Sequence, residues 1–282
     1  MKNFIKRLLT GIVYTGVIAF GVVYSQYTFL ALFMTIIILC SHEFYRLINF
    51  SGEKKINTYL HGAGGALLFL TVFLYASGIC GRNIFSLYLL YILGTMIYEL
   101  YDKQKSSINR LAYIILGQCY IALPFAVLNL LAFPFTNVNP PVYKCIWIIA
   151  LFVFLWANDT GAYLIGVWFG EHRLWERISP KKSWEGFFGG LIFTIISAFA
   201  FIYFCPEIAW YHWIALSVGV VIFGTYGDLF ESLIKRSVEA KDSGRLLPGH
   251  GGFLDRFDSL LFAVYAMLFY LQIFSLGTAI QN

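Results

Sequence analysis

Charged residues are scarce in this chain: Asp, Glu, Lys and Arg together make up 12% of its 282 residues. A soluble domain carries roughly twice that share, so the composition excludes an ordinary water-exposed surface. Cysteine is also sparse, because only five are present, without a CxxC pair or metal-ligand spacing. This pattern argues against a disulfide framework and a zinc site, and it favours small apolar packing residues. The five are Cys40, Cys80, Cys119, Cys145 and Cys205.

Apolar residues are abundant instead, at 59% hydrophobic and 19% aromatic, with a mean hydropathy of +0.72. A membrane-spanning helix needs about 20 apolar residues. The sequence therefore predicts an all-α polytopic integral membrane protein with nine transmembrane helices, although the first two runs also fit a re-entrant hairpin. The runs are 8–24, 27–41, 59–79, 84–100, 111–133, 143–166, 187–205, 211–231 and 259–277.

The basic residues predict how the chain is oriented. With a cytoplasmic N-terminus, all of the 20 Lys and Arg residues except Arg82 and Lys144 fall on the cytoplasmic side, as the positive-inside rule requires. Nine spans then place the C-terminus outside. We expect one integral domain, 1–282, in the inner cell membrane, with apolar helices in 1–140 and the functional site in 141–282. The net charge of +5 indicates contact with anionic lipids, and no nucleic-acid partner is expected.

A first polar group lies inside the sixth apolar run, at 158–163. Asp159 in this segment must face a hydrated cavity or a partner, since exposing its carboxylate to lipid is costly. The alternative is a buried aspartate that bonds a neighbouring helix and serves packing alone.

A second polar group, SPKKSWEG at 179–186, precedes the seventh run. Ser183 could begin the next helix, whose first turn offers backbone N–H groups to an anion. Lys181 and Lys182 beside it suit a phosphate, although an ordinary positive-inside loop has the same composition. Glycines at 186, 189 and 190 predict close helix packing.

A third polar group joins the last two runs. Asp228, Glu231 and Lys235 are spaced i, i+3 and i+7, which places them on one helix face. Asp255 and Asp258 are spaced i, i+3 at the start of the ninth run. If the two helix ends are neighbours, three aspartates converge across a glycine-rich loop that can approach a ligand closely. Such oxygen ligands suit Mg²⁺ together with substrate phosphates, which indicates phosphoryl or nucleotidyl transfer at a membrane face.

The 27 residues from Ser232 to Asp258, SLIKRSVEAKDSGRLLPGHGGFLDRFD, closely resemble the motif of the phosphatidate cytidylyltransferases, also called CDP-diglyceride synthases. The segments Asp-x-x-Ala-Tyr and Ser-Pro-Lys-Lys-x-Trp-Glu-Gly are similar to other elements of this family, with Ser183 where threonine is common. The resemblance covers roughly residues 155 to 260. It implies transfer of CMP from CTP to phosphatidate, a requirement for Mg²⁺, K⁺ as a candidate second cation, and a homodimer among membrane lipids.

The resemblance also directs the assignment of roles. We expect the phosphatidate phosphate to attack the α-phosphorus of CTP, so that no side-chain nucleophile is needed. The expected metal ligands are Asp228, Asp255 and Asp258, with Glu231 and Asp159 as further candidates. The candidate catalytic residues are Asp228, Lys235, Arg236, His250, Asp255, Arg256 and Asp258. The candidate substrate-binding residues are Ser179, Lys181, Lys182, Lys241, Arg245, Gly251 and Gly252.

We expect no direct part in the chemistry for two pairs of ionisable residues near helix ends. His250 has a supporting role. His250 is expected to bond a phosphate or orient the loop rather than to act as a base. The pairs His42–Glu43 and Glu99–Asp102 lie at cytoplasmic helix ends, where their simplest role is to solvate those ends.

Other classes of membrane protein remain open at this point. An ion-coupled transporter would also carry intramembrane acids, but its polar path should continue outward, where Glu207 is the only acid. Another CTP-dependent lipid phosphotransferase would use similar chemistry, although the Asp-Gly-x-x-Ala-Arg motif of the CDP-alcohol phosphotransferases is absent. A purely structural membrane protein explains the hydropathy but not the polar groups.

Overall fold

The computed structural model describes residues 2–50, 56–101, 107–134, 141–240, 243–244 and 251–276. Within these ranges the chain is almost entirely helical. The long helices are α1 (Lys2–Val23), α2 (Gln26–Phe50), α3 (Thr58–Ala76), α4 (Phe85–Tyr101), α5 (Ser107–Gly117), α6 (Leu123–Ala132), α7 (Ile146–Phe169), α8 (Trp184–Phe204), α9 (Trp210–Ser237) and α10 (Leu254–Ile273). A π-helical turn, Gln118–Ala122, joins α5 to α6, and a 3₁₀ turn, Arg82–Ile84, precedes α4.

These helices confirm the predicted spans. In the described part of the chain, eight stretches are long and apolar enough to cross a membrane, with α5, the π-turn and α6 forming one of them. The remaining predicted run corresponds to α1, whose stretch Thr10–Val23 is apolar. At 22 residues, α1 is about 33 Å long, which favours a spanning helix over the re-entrant alternative.

Helix α9 is longer than its apolar run. Its 28 residues extend about 42 Å at about 1.5 Å per residue, whereas the hydrocarbon core of a bilayer is about 30 Å thick. The run was predicted to end at residue 231, but the helix continues to Ser237. Similarly, α10 begins at Leu254 rather than at residue 259. Lys235 before the connection between α9 and α10, and Asp255 after it, therefore lie on helices, which fixes the directions of their side chains.

Small residues bring α7 and α8 into close contact. A Cβ atom at Gly161 would lie 2.7 Å from the carbonyl oxygen of Gly189, and one at Gly186 would lie 3.4 Å from the Cα of Gly166. Gly190 packs against Asn158. The predicted packing role of these glycines is confirmed, because side chains here would force the two backbones apart.

A short antiparallel hairpin between α7 and α8 is an addition to the predicted all-α fold. Strand β1 (Arg173–Trp175) pairs with β2 (Ser179–Ser183), with an irregular register between them. Ser183 ends β2, and its hydroxyl oxygen accepts a hydrogen bond from the Gly186 N–H at 3.1 Å, which caps α8. The prediction that Ser183 begins this helix is confirmed.

Aromatic side chains connect the N-terminal helices to α10. Phe257 packs against Phe125 of α6 and Phe152 of α7, with ring centroids 5.5 Å and 6.4 Å apart. Phe33 of α2 also contacts Phe152 at 6.3 Å. These rings are buried, so they hold the start of α10 firmly against the rest of the bundle.

A buried polar network lies inside the N-terminal helices, at the π-turn. The amide of Gln118 donates to the carbonyl oxygen of His61 at 2.8 Å and to the hydroxyl of Tyr45 at 3.2 Å. The His61 ring is bonded to the hydroxyl of Tyr91 at 2.9 Å. Each bond joins different helices, so the network fixes how α2, α3, α4 and the π-turn pack.

Glu99 was expected to solvate a helix end, and this expectation is wrong. Its side chain is buried and accepts hydrogen bonds from the guanidinium of Arg110 through both carboxylate oxygens. The bidentate pair joins the end of α4 to the start of α5, because a buried carboxylate needs a paired charge. Asp102, its predicted companion, lies outside the described residues.

Candidate active site

A polar cavity of about 560 Å³ opens between α7, α8, the hairpin and α9, with Ser259 of α10 at its edge. Its volume is in the range of small-molecule sites. The charged and amide side chains in its wall come from all three polar groups of the sequence. They are Asn158, Asp159, Lys181, Lys182 and Asp228.

An ion pair forms part of the cavity wall. The ammonium of Lys182 lies 2.6 Å from the carboxylate of Asp228, and both side chains are partly exposed, at 26% and 33%. Ser232 donates to the same carboxylate at 3.4 Å. Lys182 reaches this position because the cap at Ser183 fixes where β2 ends. Both charges remain accessible to a ligand that enters the cavity.

Asp159 lines the same cavity from α7. It lies ten residues before the end of the helix at Phe169, which corresponds to a depth of about 15 Å. The cavity therefore reaches from the end of α7 into the part of the helix that we expect to lie within the membrane. This position confirms that Asp159 faces a cavity, in preference to the alternative in which it serves packing alone.

A second cluster surrounds Lys235. Its ammonium donates to Glu231 and to Asp255, both at 2.8 Å, and its side chain is 13% exposed. Lys235 was predicted to be a catalytic residue, and in the structure its charge is already engaged by two carboxylates. One oxygen of Glu231, Oε1, is buried and has no hydrogen-bond partner among the described residues. The cluster therefore keeps one buried carboxylate oxygen that could bind a further ligand.

The loop before α10 is shaped around Asp255. The carboxylate accepts hydrogen bonds from the N–H groups of Gly252 at 2.9 Å and Ser243 at 3.3 Å. Gly251 has φ +84°, and a Cβ there would lie 2.9 Å from Asp255 Oδ2. Both constraints favour glycine. The predicted close approach of this loop to a ligand is, in the structure, a close approach to the Asp255 carboxylate.

Asp258 lies between the cavity and the Lys235 cluster. Its carboxylate interacts electrostatically with Asp228, Glu231 and Asp159. A Cβ at Gly227 would meet the carbonyl oxygen of Asp258 at 2.5 Å, so α9 and α10 are in backbone contact. This contact confirms that the two helix ends are neighbours.

The expected three-aspartate clamp is not formed in the described part of the chain. No three His, Cys, Asp or Glu side chains there are arranged to hold a metal ion together. The physical reason is the pairing of the carboxylates with lysines: Asp228 faces Lys182, and Asp255 faces Lys235. The oxygen donors are present, but they are divided between two ion-pair groups.

Three other predicted site residues, Ser179, Arg236 and Arg256, do not line the cavity. Arg236 is exposed and donates to the carbonyl oxygen of Ala240 at 3.3 Å. Ser179 lies half-buried on β2 opposite Trp175. Arg256 is exposed, although its charge interacts with Asp159. Lys241, Arg245 and His250 lie outside the described residues.

Glu43 is a site-region residue that sequence reasoning missed. It was expected to solvate a helix end, but it is 2% exposed and accepts a hydrogen bond from the Leu254 N–H at 3.0 Å. The sequence did carry a signal, because Glu43 directly follows an apolar run, in IIILCSHEFY. An ionised carboxylate within or beside a membrane-spanning helix is costly and therefore indicates a functional site. Its neighbour His42 instead bonds Thr58 at 2.8 Å.

An apolar cavity of about 410 Å³ adjoins the other side of α9. Trp175 and Ile178 of the hairpin region cover it, and Phe223, Tyr226 and Leu229 of α9 form its wall. The hairpin therefore borders both cavities, with Lys181 and Lys182 at the polar one and Arg177 at the apolar one.

These features define a class: a polytopic membrane protein with a charged, ligand-sized cavity at one end of its helices. Lysines and carboxylates in one cavity suit a phosphate-bearing ligand. An apolar cavity nearby suits a hydrocarbon chain.

Comparison with known proteins identifies the family. A model of the cytidylyltransferase family matches residues 5–274. Over 285 aligned residues the chain is 32% identical to the phosphatidate cytidylyltransferase of Bacillus subtilis, covering 98% of this chain and all of the relative. The phosphatidate cytidylyltransferases of Staphylococcus aureus and Staphylococcus haemolyticus are 41% and 40% identical over 160 residues, which is 56% of this chain and 60% of each relative.

The chain therefore belongs to the cytidylyltransferase family. It is a nucleotidyltransferase, which decides against the transporter and purely structural alternatives. The resemblance found in the residues of the third polar group is confirmed.

Proposed function

We propose that this chain transfers CMP from CTP to phosphatidate, forming CDP-diacylglycerol and pyrophosphate. The observation that carries the proposal is the polar cavity at the end of the membrane helices, where Lys181, Lys182 and Asp228 meet. Full-length similarity to a phosphatidate cytidylyltransferase supports the same reaction.

The reaction requires little acid–base chemistry from the protein. A phosphate oxygen of phosphatidate forms a bond to the α-phosphorus of CTP, and the bond from that phosphorus to the β-phosphate oxygen breaks. The electron pair leaves with pyrophosphate. A phosphate monoester has a second pKa of about 6, so the nucleophile is already largely dianionic near neutral pH. The protein must position two anions against each other and neutralise their charge, and Lys181 and Lys182 supply positive charge.

Magnesium fits the donor set on chemical grounds. Mg²⁺ prefers oxygen ligands and is commonly held by one or two carboxylates together with substrate phosphates, so a complete protein cage is unnecessary. We propose Asp228 and Asp255 as the protein ligands, with Asp258 and the unpartnered oxygen of Glu231 as further donors and K⁺ as a second cation. The bound metal would neutralise charge on the triphosphate.

The location of the site suits the two substrates. We propose that it faces the cytoplasm of the inner membrane, where CTP is dissolved, because nearly all basic residues fall on that side. The apolar cavity beside the hairpin offers a surface for the acyl chains of phosphatidate. A homodimer is proposed from the family resemblance, and its mass in detergent can be measured by light scattering.

The test is a reconstituted assay. Purified protein in detergent is given labelled CTP, phosphatidate and Mg²⁺, and we expect labelled CDP-diacylglycerol together with pyrophosphate. Reactions without phosphatidate, or with EDTA, should give neither product. No lipid product under complete conditions would contradict the proposal.

A further inference from the structure

Glu43 connects the N-terminal helices to the loop that carries the site. Its carboxylate, near the end of α2, is 2% exposed. Oε2 accepts hydrogen bonds from the Leu254 N–H at 3.0 Å and from the Ser243 hydroxyl at 3.3 Å. These partners are 211 and 200 residues away in sequence. A single side chain therefore bonds both Ser243, within the connection between α9 and α10, and Leu254, the first residue of α10.

Ser243 and a residue close to Leu254 also hold Asp255. Ser243 donates its hydroxyl to Glu43 and its backbone N–H to Asp255, at 3.3 Å in each case. Gly252 donates to Asp255, and Leu254, two residues later, donates to Glu43. The two carboxylates thus share Ser243 as a donor and bond two N–H groups that are two residues apart, at Gly252 and Leu254. A change in the position of Glu43 must move the groups that orient Asp255.

Two glycines are shaped to the Glu43 side chain. A Cβ at Gly252 would collide with the Glu43 carboxylate and with the Ser243 hydroxyl. A Cβ at Gly244 would lie 2.6 Å from the carboxylate carbon and 3.0 Å from Cγ of Glu43. The backbone at Gly244 and at Gly252 therefore packs directly against the Glu43 carboxylate.

Stability alone does not account for an acid at this place. Oε1 of Glu43 is buried and has no hydrogen-bond partner among the described residues, and an unsatisfied buried oxygen is unfavourable. The buried acid of the N-terminal helices, Glu99, is by contrast fully paired with Arg110. Glu43 instead orders the residues next to Asp255, which indicates a role in the reaction.

We infer that Glu43 is a positioning residue for nucleotidyl transfer: it fixes Ser243 and the start of α10 so that Asp255 is held in its reactive orientation. This inference rests on the proposed function. It assigns Glu43 no contact with substrate. It predicts that the loss of Glu43 impairs turnover more than substrate affinity.

The first experiment separates kcat from KM. Glu43→Ala should lower kcat by about 10- to 100-fold, as the loss of an outer support of a metal-binding carboxylate typically does. It should also raise the half-saturating Mg²⁺ concentration, while KM for phosphatidate stays unchanged. Glu43→Gln keeps a carbonyl oxygen for the Leu254 N–H and should recover most of the loss. Glu99→Gln is the matched control, since it alters a buried acid remote from the loop and should lower Tm without changing kcat.

The second experiment does not depend on activity. Hydrogen exchange of a peptide covering 251–258 should be faster in Glu43→Ala, because the Leu254 N–H loses its acceptor and the Gly252 N–H becomes less protected. Glu43→Gln should exchange more slowly than Glu43→Ala, and Glu99→Gln should match the unaltered protein. Unchanged exchange in Glu43→Ala would overturn the inference.

The results distinguish the inference from the proposed function. If the unaltered protein forms no CDP-diacylglycerol, the proposed function fails, while the exchange experiment still tests the Glu43 contact. If Glu43→Ala is folded with normal kcat and Mg²⁺ dependence, Glu43 is only structural and the inference fails. If Glu43→Ala does not fold, Ser243→Ala decides: a lowered kcat supports the inference, and a normal kcat overturns it.

Discussion

The polar network around Gln118 and the ionic cluster around Lys235 are both largely buried, but they are built differently. In the first, amide, imidazole and hydroxyl groups bond one another across neighbouring helices. In the second, Glu231, Lys235 and Asp255 meet between α9 and α10, and Oε1 of Glu231 has no hydrogen-bond partner in the part of the chain that the structure describes. Neutral groups that satisfy one another hold helices together. Charged groups with unused bonding capacity remain available for a ligand.

The comparison predicts that the two regions respond differently to substitution. Changes at the ionic cluster and the cavity should reduce turnover strongly, while changes at the Gln118 network should reduce stability and leave turnover per folded molecule intact.

The largest effect is expected at Asp255. Asp255→Asn removes the charge that faces Lys235 and a proposed metal ligand, so we expect turnover to fall by at least about 100-fold. The measurement is CDP-diacylglycerol formed from labelled CTP at saturating Mg²⁺. Glu207→Gln, an exposed acid outside both regions, serves as control and should keep normal activity. Normal turnover in Asp255→Asn would remove this residue from the metal assignment.

Lys182 should come next. Lys182→Met removes the positive charge at the cavity wall and leaves Asp228 without its partner. We expect kcat/KM for CTP to fall by about 10- to 100-fold, corresponding to the loss of a charge-assisted hydrogen bond worth about 1.5 to 3 kcal/mol. Steady-state kinetics at varied CTP measure this change. Lys144→Met, a lysine outside the cavity, is the control; equal effects in the two variants would contradict a specific role.

A smaller effect, of another kind, is expected at Gln118. Gln118→Leu removes the amide N–H groups that donate to the His61 carbonyl oxygen and to the Tyr45 hydroxyl. The loss of these hydrogen bonds should destabilise the fold by about 1 to 3 kcal/mol. Thermal unfolding in detergent measures the change in Tm. Activity normalised to folded protein should remain unchanged. A raised KM for CTP in this variant would break the distinction between the two regions.

The smallest effect is expected at His172, on the surface beside the hairpin. Its ring lies 2.6 Å from the Glu185 carboxylate, and this hydrogen bond raises the pKa of His172 above its ordinary value of 6.5. A raised pKa in the folded state gives stability that is fully present below 6.5 and is lost as the pH rises through the raised value. Tm should therefore differ between the unaltered protein and His172→Gln at acidic pH and converge at alkaline pH.

The control for this prediction is a double variant. His172→Gln combined with Glu185→Gln should show no further pH-dependent loss beyond that of His172→Gln, since the pair acts together. An equal Tm difference at every pH would show that charge at His172 does not contribute.

The membrane-spanning helices were predictable from composition, because a run of about 20 apolar residues is sufficient to cross the hydrocarbon core. The ends of α9 and α10 were less predictable. Charged residues from Ser232 onward resemble a loop, yet the i, i+4 pair of Glu231 and Lys235 continues the helix. The hairpin was missed because SPKKS lacks the alternation of apolar and polar residues that marks a strand.

The candidate site was predictable where a motif supplied local spacing. Asp159, Lys182 and Asp228 were all candidate site residues, and they line one cavity. The partners of Lys235 and the burial of Glu43 depend on contacts between helices that no local pattern encodes. Spacing on one helix face placed Lys235 correctly, but only the packing of α10 showed that Asp255 occupies its ammonium.

The bond between Glu43 and Leu254 also has a consequence for biosynthesis. Its two partners are separated by 211 residues, which a ribosome adds in roughly 10 to 40 s at about 5 to 20 residues per second. During that interval the Glu43 carboxylate of α2 lacks the Leu254 N–H that later donates to it. The nascent chain must therefore tolerate this carboxylate at the edge of the membrane. A ribosome-bound chain that stops before α10 should be stably inserted yet inactive, and the enzyme is completed only when its last helix arrives.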